Sequence, residues 1–348
     1  MEYKKLEDII EFNPTETLKK GTVSKKIPMD KLGVFSKYIN SFDIEKYNGG
    51  MKFRNGDTLL ARITPCLENG KTSKVTILDE EEVGFGSTEY IVMRSKKNIS
   101  DEDFIFYLAI SPKFREIAIK SMTGTSGRQR VQLDVVKNTE MLIPSYEEQI
   151  KIGKVLSSID KRIELNNQIN DNLSEQLKQI FNNKFYDKIQ NNDCSEFKEY
   201  ILYDVLDVID NRGKTPKLVE VSNYPIIDVR AISGENRIID YKQCQKYVDD
   251  EVYNTFFRSG HPKINDILIS TVGSLAEMKI YMENKGTIAQ NVVALRSKYD
   301  YPMYIYQYLK AIKNDLISYN IGSVQPSIKV TQFMKHNIYI PKDKELYE

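Results

Sequence analysis

The side chains of this chain that could do specific chemistry are concentrated in a short polar loop from Thr125 to Arg130. Arg128 and Arg130 carry planar guanidinium groups that can fork onto a guanine edge, and Gln129 can pair with an adenine edge. Thr125 and Ser126 add hydroxyl groups. Because these groups match base edges in the major groove, the loop predicts sequence reading in duplex DNA. Replacing Arg128 or Gln129 by alanine would then cost ~1–3 kcal/mol and relax the base preference only in the part of the target that this loop contacts.

Similar polar groups recur in a loop late in the chain, in a basic turn and at the ends of several predicted strands. Such residues can contact bases or hold phosphates. Singly, each is equally consistent with a solvated loop residue, and matching placement in two halves of the chain is what favours them. The further DNA-binding candidates are Arg62, Thr64, Lys71, Thr72, Ser87, Thr88, Glu89, Arg212, Lys214, Thr215, Thr271, Ser274, Gln290, Asn291, Ser323, Gln325, Ser327 and Lys329.

The charge balance gives no independent sign of nucleic acid. The net charge is +1, and residues 1–146 carry 23 basic and 21 acidic side chains. Residues 147–195 carry 7 and 8, and residues 196–348 carry 20 and 20. A tight, free-standing DNA binder usually has a larger basic excess. Either the DNA-binding surface is a local basic patch, such as the five cations between Lys113 and Arg130, or a partner protein makes many of the contacts to the DNA phosphates.

A magnesium-dependent nuclease site is one catalytic alternative. Asp266, Glu277 and Lys279 have the spacing of two metal-binding carboxylates and a lysine that positions water. In the matching stretch of the first half the two acids keep their separation, but Gly70 stands where the lysine should be. The acid at the start of the strand is therefore better explained as a strand-entry residue.

Other catalytic chemistry lacks the residues that it needs. The chain has three widely spaced cysteines, Cys66, Cys194 and Cys244, without a Cys-x-x-Cys pair, and two histidines, His261 and His336. Neither a disulfide framework nor a zinc site is indicated. The sequence holds no Pro-Pro, no methyltransferase cofactor loop and no phosphate-binding loop. We therefore predict no catalytic residue, no metal and no cofactor.

Nothing in the sequence predicts export or membrane insertion. No apolar run approaches the ~18–20 residues that span a bilayer. Acidic residues occupy the place where a signal peptide would carry its apolar segment. The expectation is a cytoplasmic protein without a membrane partner.

The sequence contains an internal repeat, which places many of these candidate residues at matching positions in two halves of the chain. Asn55–Ile63 and Ile264–Val272 each read as a turn followed by a buried strand, with an aspartate in register. Further on, Ser87–Lys96 matches Ala289–Lys298, and both end in Arg-Ser-Lys. Each copy continues with one predicted amphipathic helix, a polar loop containing glutamine, and a closing Ile-Pro pair. The two helices are expected at Phe104–Met122 and Tyr304–Asn320. Shared landmarks in one order indicate a duplicated domain.

A long helix is predicted between the copies, from Glu147 to about Ile189. Apolar residues recur at spacings of three and four, which is typical of a coiled-coil seam. At about 1.5 Å per residue, 40 residues extend ~60 Å and would set two reading domains about 18 base pairs apart. A helix resting on its own domains, with its asparagines in water, is the alternative. The predicted seam is Ile152, Ile159, Ile163, Asn166, Asn170, Leu173, Leu177 and Ile180.

These residues together resemble the specificity subunit of type I restriction–modification systems. The resemblance is carried by Asn55–Arg62, Thr88–Arg94, Thr123–Arg130, Ile143–Leu156 and Ile159–Asn166, and it covers essentially the whole chain. It implies two target-recognition domains that read the halves of a bipartite, non-palindromic site. It also implies assembly with methyltransferase (modification) subunits, which bind S-adenosylmethionine, and with a restriction subunit that translocates and cuts DNA.

One departure from the family pattern concerns the helices. The resemblance implies a helix after each domain, packed antiparallel to one another, but the sequence stops at Ile340–Glu348 where the second helix should begin. The seam would then lack a partner within the chain, and monomers rarely expose such a stripe. The expectation is that a second copy of the chain or a modification subunit covers it, or that the sequence is truncated.

The expected architecture is α+β, with two similar target-recognition domains, each a small mixed sheet plus helices, joined by a long coiled-coil-forming helix. The expected boundaries are 1–146, 147–195 and 196–348. The expected function is non-catalytic, sequence-specific recognition of double-stranded DNA. The alternative is a coiled-coil scaffold whose α/β domains bind proteins; a scaffold would not retain random duplex at low salt.

Overall fold

A computed structural model describes residues 1–125, 127–213, 215–322 and 326–343. The chain divides into two compact units, Met1–Asn167 and Gln168–Glu348, and the boundary falls inside the long helix. Each unit combines small β-sheets with short helices, so the expected α+β fold of two similar domains joined by a long helix is confirmed. No helix within the described ranges is both long and apolar enough to cross a membrane.

The first unit contains the following elements, with a short 3-10 turn at Met29–Lys31. The strands are β1 (Glu2–Lys5), β2 (Ile10–Phe12), β3 (Val23–Ile27), β4 (Asp43–Lys46), β5 (Met51–Phe53), β6 (Thr58–Ala61), β7 (Thr72–Lys74), β8 (Gly84–Gly86), β9 (Tyr90–Ser95) and β10 (Glu140–Ile143). The helices are α1 (Leu6–Ile9), α2 (Glu102–Ile110), α3 (Pro112–Lys120), α4 (Leu133–Asn138) and the start of α5 (Tyr146–Phe181).

The second unit begins within α5 and continues through a π-helical turn at Asn182–Tyr186. Its strands are β11 (Phe197–Ile201), β12 (Leu206–Ile209), β13 (Tyr224–Ile227), β14 (Tyr247–Val248), β15 (Ile267–Ser270), β16 (Met278–Ile280), β17 (Thr287–Ile288), β18 (Val292–Ser297) and β19 (Asn337–Pro341). Its helices are α6 (Asp187–Gln190), α7 (Leu202–Val205), α8 (Val229–Ile232), α9 (Asp250–Thr255), α10 (Pro302–Ala311), α11 (Lys313–Ser318) and α12 (Val330–Phe333), with a 3-10 turn at Tyr241–Gln243.

The two units repeat the same strand pairing. The central sheet of the first has the order β2-β9-β6-β7, and that of the second has the order β12-β18-β15-β16, both antiparallel throughout. Leu59 lies opposite Val92 in one sheet, and Leu268 lies opposite Ala294 in the other. A second sheet in each unit contains a parallel pair, β3-β8 or β13-β17. A two-stranded pair, β1-β10 or β11-β19, completes the repeat.

A buried ion pair ties together two landmarks of the repeated sequence. Arg94 donates to both carboxylate oxygens of Asp57 at 2.7 Å, and Arg296 donates to Asp266 at 3.0 and 2.7 Å. Each aspartate also accepts a backbone N–H from the turn before its strand, from Arg54 in the first unit. The matched aspartate is therefore a strand-entry residue, held by the matched arginine of the neighbouring strand.

The single helix predicted after β9 is wrong, because the chain forms two. Ser111 interrupts it in an extended conformation and accepts a hydrogen bond from Phe114 N, with Pro112 as the first residue of α3. Proline lacks the N–H that a continuous helix would need at this place and is well tolerated in a first turn. In the second unit the break lies at Ile312, between α10 and α11.

The start of α5 is locked to the first unit by the residues of the junction motif. The Ser145 N–H and hydroxyl donate to the Glu148 carboxylate at 2.9 and 3.0 Å, which caps the helix. Gln149 is buried, donates to the Pro144 carbonyl and accepts from Asp101 N–H. At Gly153 a Cβ would lie 2.5 Å from the Asp101 carboxylate. The one glycine of this helix is therefore required by close packing against the start of α2.

Candidate nucleic-acid interface

Three segments converge at one place in the first unit: the residues after β6, the residues before β9 and the loop before α4. Arg62 N–H donates to the Glu89 carbonyl, and Val131 N–H donates to the Arg62 carbonyl, both at 2.9 Å. Thr64 N–H donates to the Gln129 carbonyl at 3.0 Å. We call residues 62–64, 87–89 and 129–131 the first mouth. The backbone thus brings together candidates that lie up to 68 positions apart in the sequence.

An ion-pair cluster occupies the first mouth. Arg130 donates from Nε and one terminal nitrogen to the Glu89 carboxylate, with distances of 2.6 to 3.0 Å. Arg62 Nε lies 3.9 Å from the same carboxylate and is a buried atom without a hydrogen bond. Glu89 accepts a hydrogen bond from Arg130 and lies beside two guanidinium charges. Together these outweigh the effect of burial and lower the pKa of Glu89. The cluster therefore keeps a net charge of one positive unit at neutral pH.

The second unit forms the same backbone arrangement with neutral side chains. Thr271 N–H donates to the Asn291 carbonyl at 2.9 Å, and Ile328 N–H donates to the Thr271 carbonyl at 2.8 Å. Gly273 N–H donates to the Pro326 carbonyl at 3.1 Å. We call residues 271–273, 289–291 and 326–328 the second mouth. Matching hydrogen bonds place Arg62, Glu89 and Arg130 opposite Thr271, Asn291 and Ser327.

Two of the predicted DNA contacts are wrong, because their side chains are buried. Thr72 has no exposed surface, because the segment around Gly33 covers β7 and accepts the Thr72 N–H. Thr271 is also fully buried, beneath the loop that contains Ile328. Neither hydroxyl is open to a ligand. Arg115, counted among the five local cations, is likewise interior and donates to the carbonyls of Leu67 and Glu68.

Several other candidates are accessible but already have intramolecular partners. The Lys71 ammonium donates to the Met29 and Asp30 carbonyls, and the Arg212 guanidinium pairs with Asp210. Gln290 donates to the Thr215 hydroxyl at 3.3 Å, which brings the basic turn to the second mouth.

The remaining candidates divide by their exposure. Ser87 is half-buried and its hydroxyl accepts from Glu89 N–H, and Gln129 is also half-buried. The exposed candidates are Thr88, Thr125, Arg128, Ser274 and Lys329. Four candidates, Ser126, Lys214, Ser323 and Gln325, lie outside the described residues.

The nuclease alternative does not converge on a metal site. Asp266 precedes β15, beside Tyr281, whereas Glu277 pairs with Ser270 at the far end of the same strand. Four residues of strand separate them by about 13 Å. Asp266 is engaged by Arg296 and Glu277 by Lys313, and Lys279 is buried. No group of three potential metal ligands occurs within the described parts of the chain.

Most of the predicted seam is exposed on α5. Side-chain exposure is 49% at Ile159, 54% at Ile163, 51% at Leu173 and 52% at Ile180. Leu177, Asn166 and Asn170 are exposed on the same stripe, at alternating steps of three and four residues. Ile152 differs, since it packs against the core of the first unit.

Sequence reasoning missed two features of the site. It assigned Glu89 to DNA, but the structure shows this carboxylate as the partner of Arg130. It also missed the exposed Phe35, which stacks on the Arg115 guanidinium at 4.6 Å. Both contacts join positions at least 41 residues apart, and no local pattern in a single sequence signals them.

Comparison with known proteins gives a consistent result. The family described as "Type I restriction modification DNA specificity domain" matches residues 1–175 and 194–345. The EcoAI specificity subunit of a type I restriction enzyme from Escherichia coli is 32% identical over 36% of this chain and 22% of its own length. The HindI specificity subunit from Haemophilus influenzae is 34% identical over 38% and 28%. These matches cover less than a third of each relative.

A solved structure shares the fold. The S subunit of a type I restriction–modification system from M. genitalium superposes with a TM-score of 0.56 and 16% identity, over 99% of this chain and 86% of that one.

Proposed function

Because the chain belongs to the type I restriction–modification DNA specificity family, we propose that it recognises a bipartite sequence in double-stranded DNA. The observation that carries this proposal is the pair of mouths. Two units build one backbone scaffold with the same hydrogen bonds, yet present different polar side chains on it. Such a design suits two related modules that read different sequences, because base edges are distinguished by donor and acceptor pattern.

The proposed role is recognition without catalysis. The carboxylates and the lysine that could have formed a nuclease site are separated or paired with other side chains. Chemistry on the DNA is therefore assigned to partners, namely the methyltransferase and restriction subunits that the family resemblance implies. The near-neutral charge of the chain supports such a division, since partners can supply part of the phosphate grip.

We also infer that α5 pairs with another helix, in a second copy of the chain or in a modification subunit. Its exposed apolar residues follow the spacing of a coiled-coil seam, and exposed stripes of this kind mark association surfaces. Asn166 and Asn170 at the middle of the stripe would fix the register of the pair. Sedimentation of the purified chain tests this inference, and a clean, non-aggregating monomer would contradict it. A seam variant, Ile163→Glu with Leu173→Glu, should abolish any association that is observed.

Selection from a randomised duplex library tests the proposed recognition directly. The full chain should enrich two short motifs separated by a constant unread spacer. Arg128→Ala, in the loop next to the first mouth, should relax the base preference in one motif only. Arg162→Ala, which removes an exposed arginine of α5, should leave both motifs intact. Failure to retain any duplex at low salt would instead favour a scaffold that binds proteins.

A further inference from the structure

Three positions that coincide in the two mouths differ in charge. In the first mouth they are Arg62, Glu89 and Arg130, and the matching hydrogen bonds of the second mouth place Thr271, Asn291 and Ser327 there. The first set contains two guanidinium groups and one carboxylate, whereas the second contains none. Thr271 is buried, so the mouths differ chiefly in what Arg130 and Ser327 can donate to a ligand.

The contact between Glu89 and Arg130 uses only one edge of the guanidinium. Nε and one terminal nitrogen face the carboxylate, and the other terminal nitrogen, Nη1, makes no hydrogen bond within the described residues. A guanidinium has five donors in a fixed plane. Fixing one edge therefore leaves the far end available as a fork whose direction is already set. Such a fork matches the O6 and N7 acceptors of guanine.

Holding the arginine in place before binding should strengthen the binding. A free arginine loses rotational freedom when it contacts a base, and that loss weakens binding. The backbone N–H of Glu89 donates to the Ser87 hydroxyl, which fixes the turn that carries Glu89 and so positions its carboxylate. Arg62 lies 3.9 Å from the same carboxylate and compensates its charge, so the mouth stays attractive to DNA.

We propose that Glu89 is a positioning residue that holds Arg130 for guanine readout in the half-site of the first unit. The second unit, with Asn291 and Ser327 at these positions, reads no guanine at the equivalent step. This inference rests on the proposed function. It assigns Glu89 to Arg130 rather than to a base, and it makes the two half-sites differ in a predictable way.

The test is selection from a randomised duplex library with the full chain and three variants. Arg130→Lys keeps the charge but removes the fork, and it should lower the preference for guanine at one position about tenfold. Glu89→Ala should lower the same preference by a similar factor, and Glu89→Gln, which keeps an acceptor oxygen, should lower it less. Motifs read by the second unit should not change. Thermal unfolding of each variant checks that the fold is intact.

A gain of function separates positioning from structural damage. Asn291→Glu combined with Ser327→Arg rebuilds the pair in the second mouth and should create a guanine preference in the second half-site. Ser327→Arg alone should create a weaker one. General damage would weaken binding to all sequences equally and would create no new preference.

The outcomes distinguish failure of the Glu89 inference from failure of the proposed DNA recognition. A wild-type chain that enriches a bipartite motif, with no change in guanine preference for Glu89→Ala, would overturn the inference and leave the proposed function standing. The same holds if no guanine in the motif responds to Arg130→Lys. A wild-type chain that enriches no sequence would overturn the proposed function itself.

Discussion

The two units have the same internal framework, but they differ at their mouths and in how they hold α5. In each, an aspartate before the third strand of the central sheet is paired with an arginine of the neighbouring strand. At the mouths the first unit places a charged cluster where the second has neutral side chains. The matched framework is therefore held by contacts away from the mouths, and the side chains differ at the mouths, where we propose that DNA binds.

The units also hold α5 in different ways. In the first, Asp103 accepts from Lys37 at 2.7 Å and from Lys74 at 2.6 Å, and the Ser157 hydroxyl of α5 donates to its other oxygen at 2.7 Å. In the second, Phe181 at the end of α5 packs against the rings of Tyr304 and of Phe185 in the following turn. One attachment is a half-buried charge network, and the other is an aromatic cluster.

This difference has consequences for stability. A charge network in a low-dielectric setting depends on every member, because a lost partner leaves a buried charge unpaired. An aromatic cluster loses stability in proportion to the area and volume removed, and it responds little to salt or pH. Perturbations that act on charge should therefore separate the two units, even though their folds match.

The largest effect is expected for Asp103→Ala. The substitution leaves the Lys37 ammonium, which is 7% exposed, without its carboxylate partner. It also leaves the Lys74 ammonium, which is 5% exposed, with Glu102 but without Asp103. The expected loss is about 4 kcal/mol of unfolding free energy in the first unit. Urea denaturation measures it. Glu116→Ala, which removes an exposed pair with Lys120, is the control and should change stability far less, because solvent screens the pair. Equal effects for the two variants would contradict the buried network.

Phe181→Ala should destabilise the second unit by about 3 kcal/mol. The ring is 4% exposed and lies 5.4 Å from the Tyr304 ring, so its removal leaves a cavity. Unlike Asp103→Ala, this loss should be the same at low and high salt, as urea titrations at two ionic strengths would show. Leu218→Ala, an exposed apolar position, serves as the control. A strong salt dependence of the Phe181→Ala effect would remove the distinction between the attachments.

Acid should weaken the first attachment selectively. Burial alone would raise the pKa of Asp103, but hydrogen bonds from Lys37, Lys74 and Ser157 lower it to about 2, below its ordinary value of 3.8. A lowered folded-state pKa stabilises the fold above the unfolded pKa, and this contribution is lost as the pH falls through the folded value. The stability difference between wild type and Asp103→Asn should therefore narrow by about 2 kcal/mol between about pH 5 and pH 2. A difference that stays constant over this range would refute the assignment.

The smallest effect concerns the salt dependence of DNA binding. Arg62→Ala removes one cation from the first mouth, so the slope of log affinity against log salt should become shallower by about one. Asn291→Ala changes a neutral position in the second mouth and should leave the slope unchanged. Titrations of one duplex at several salt concentrations give both slopes. Identical slopes for Arg62→Ala and wild type would show that the charged mouth does not neutralise phosphate.

The sequence alone determined the repeat, the strand-entry aspartates and the long helix. These features are local: a turn before a buried strand, or apolar residues that recur with a period of three to four. Local patterns depend on backbone geometry that neighbouring residues set, and they can therefore be read in order along the chain. The break at Ser111–Pro112 also had a local signal, since proline cannot continue a helix from the preceding turn.

Only the tertiary structure decided which polar residues are available and what each one contacts. Thr72 and Thr271 look like surface threonines in the sequence, yet distant segments cover them. Glu89 and Arg130 are 41 positions apart, and Asp103 and Ser157 are 54 apart. Such pairs form because folded strands and helices bring distant side chains within a few ångströms. The order of residues along the chain does not show these distances, because they are set only when the strands and helices pack.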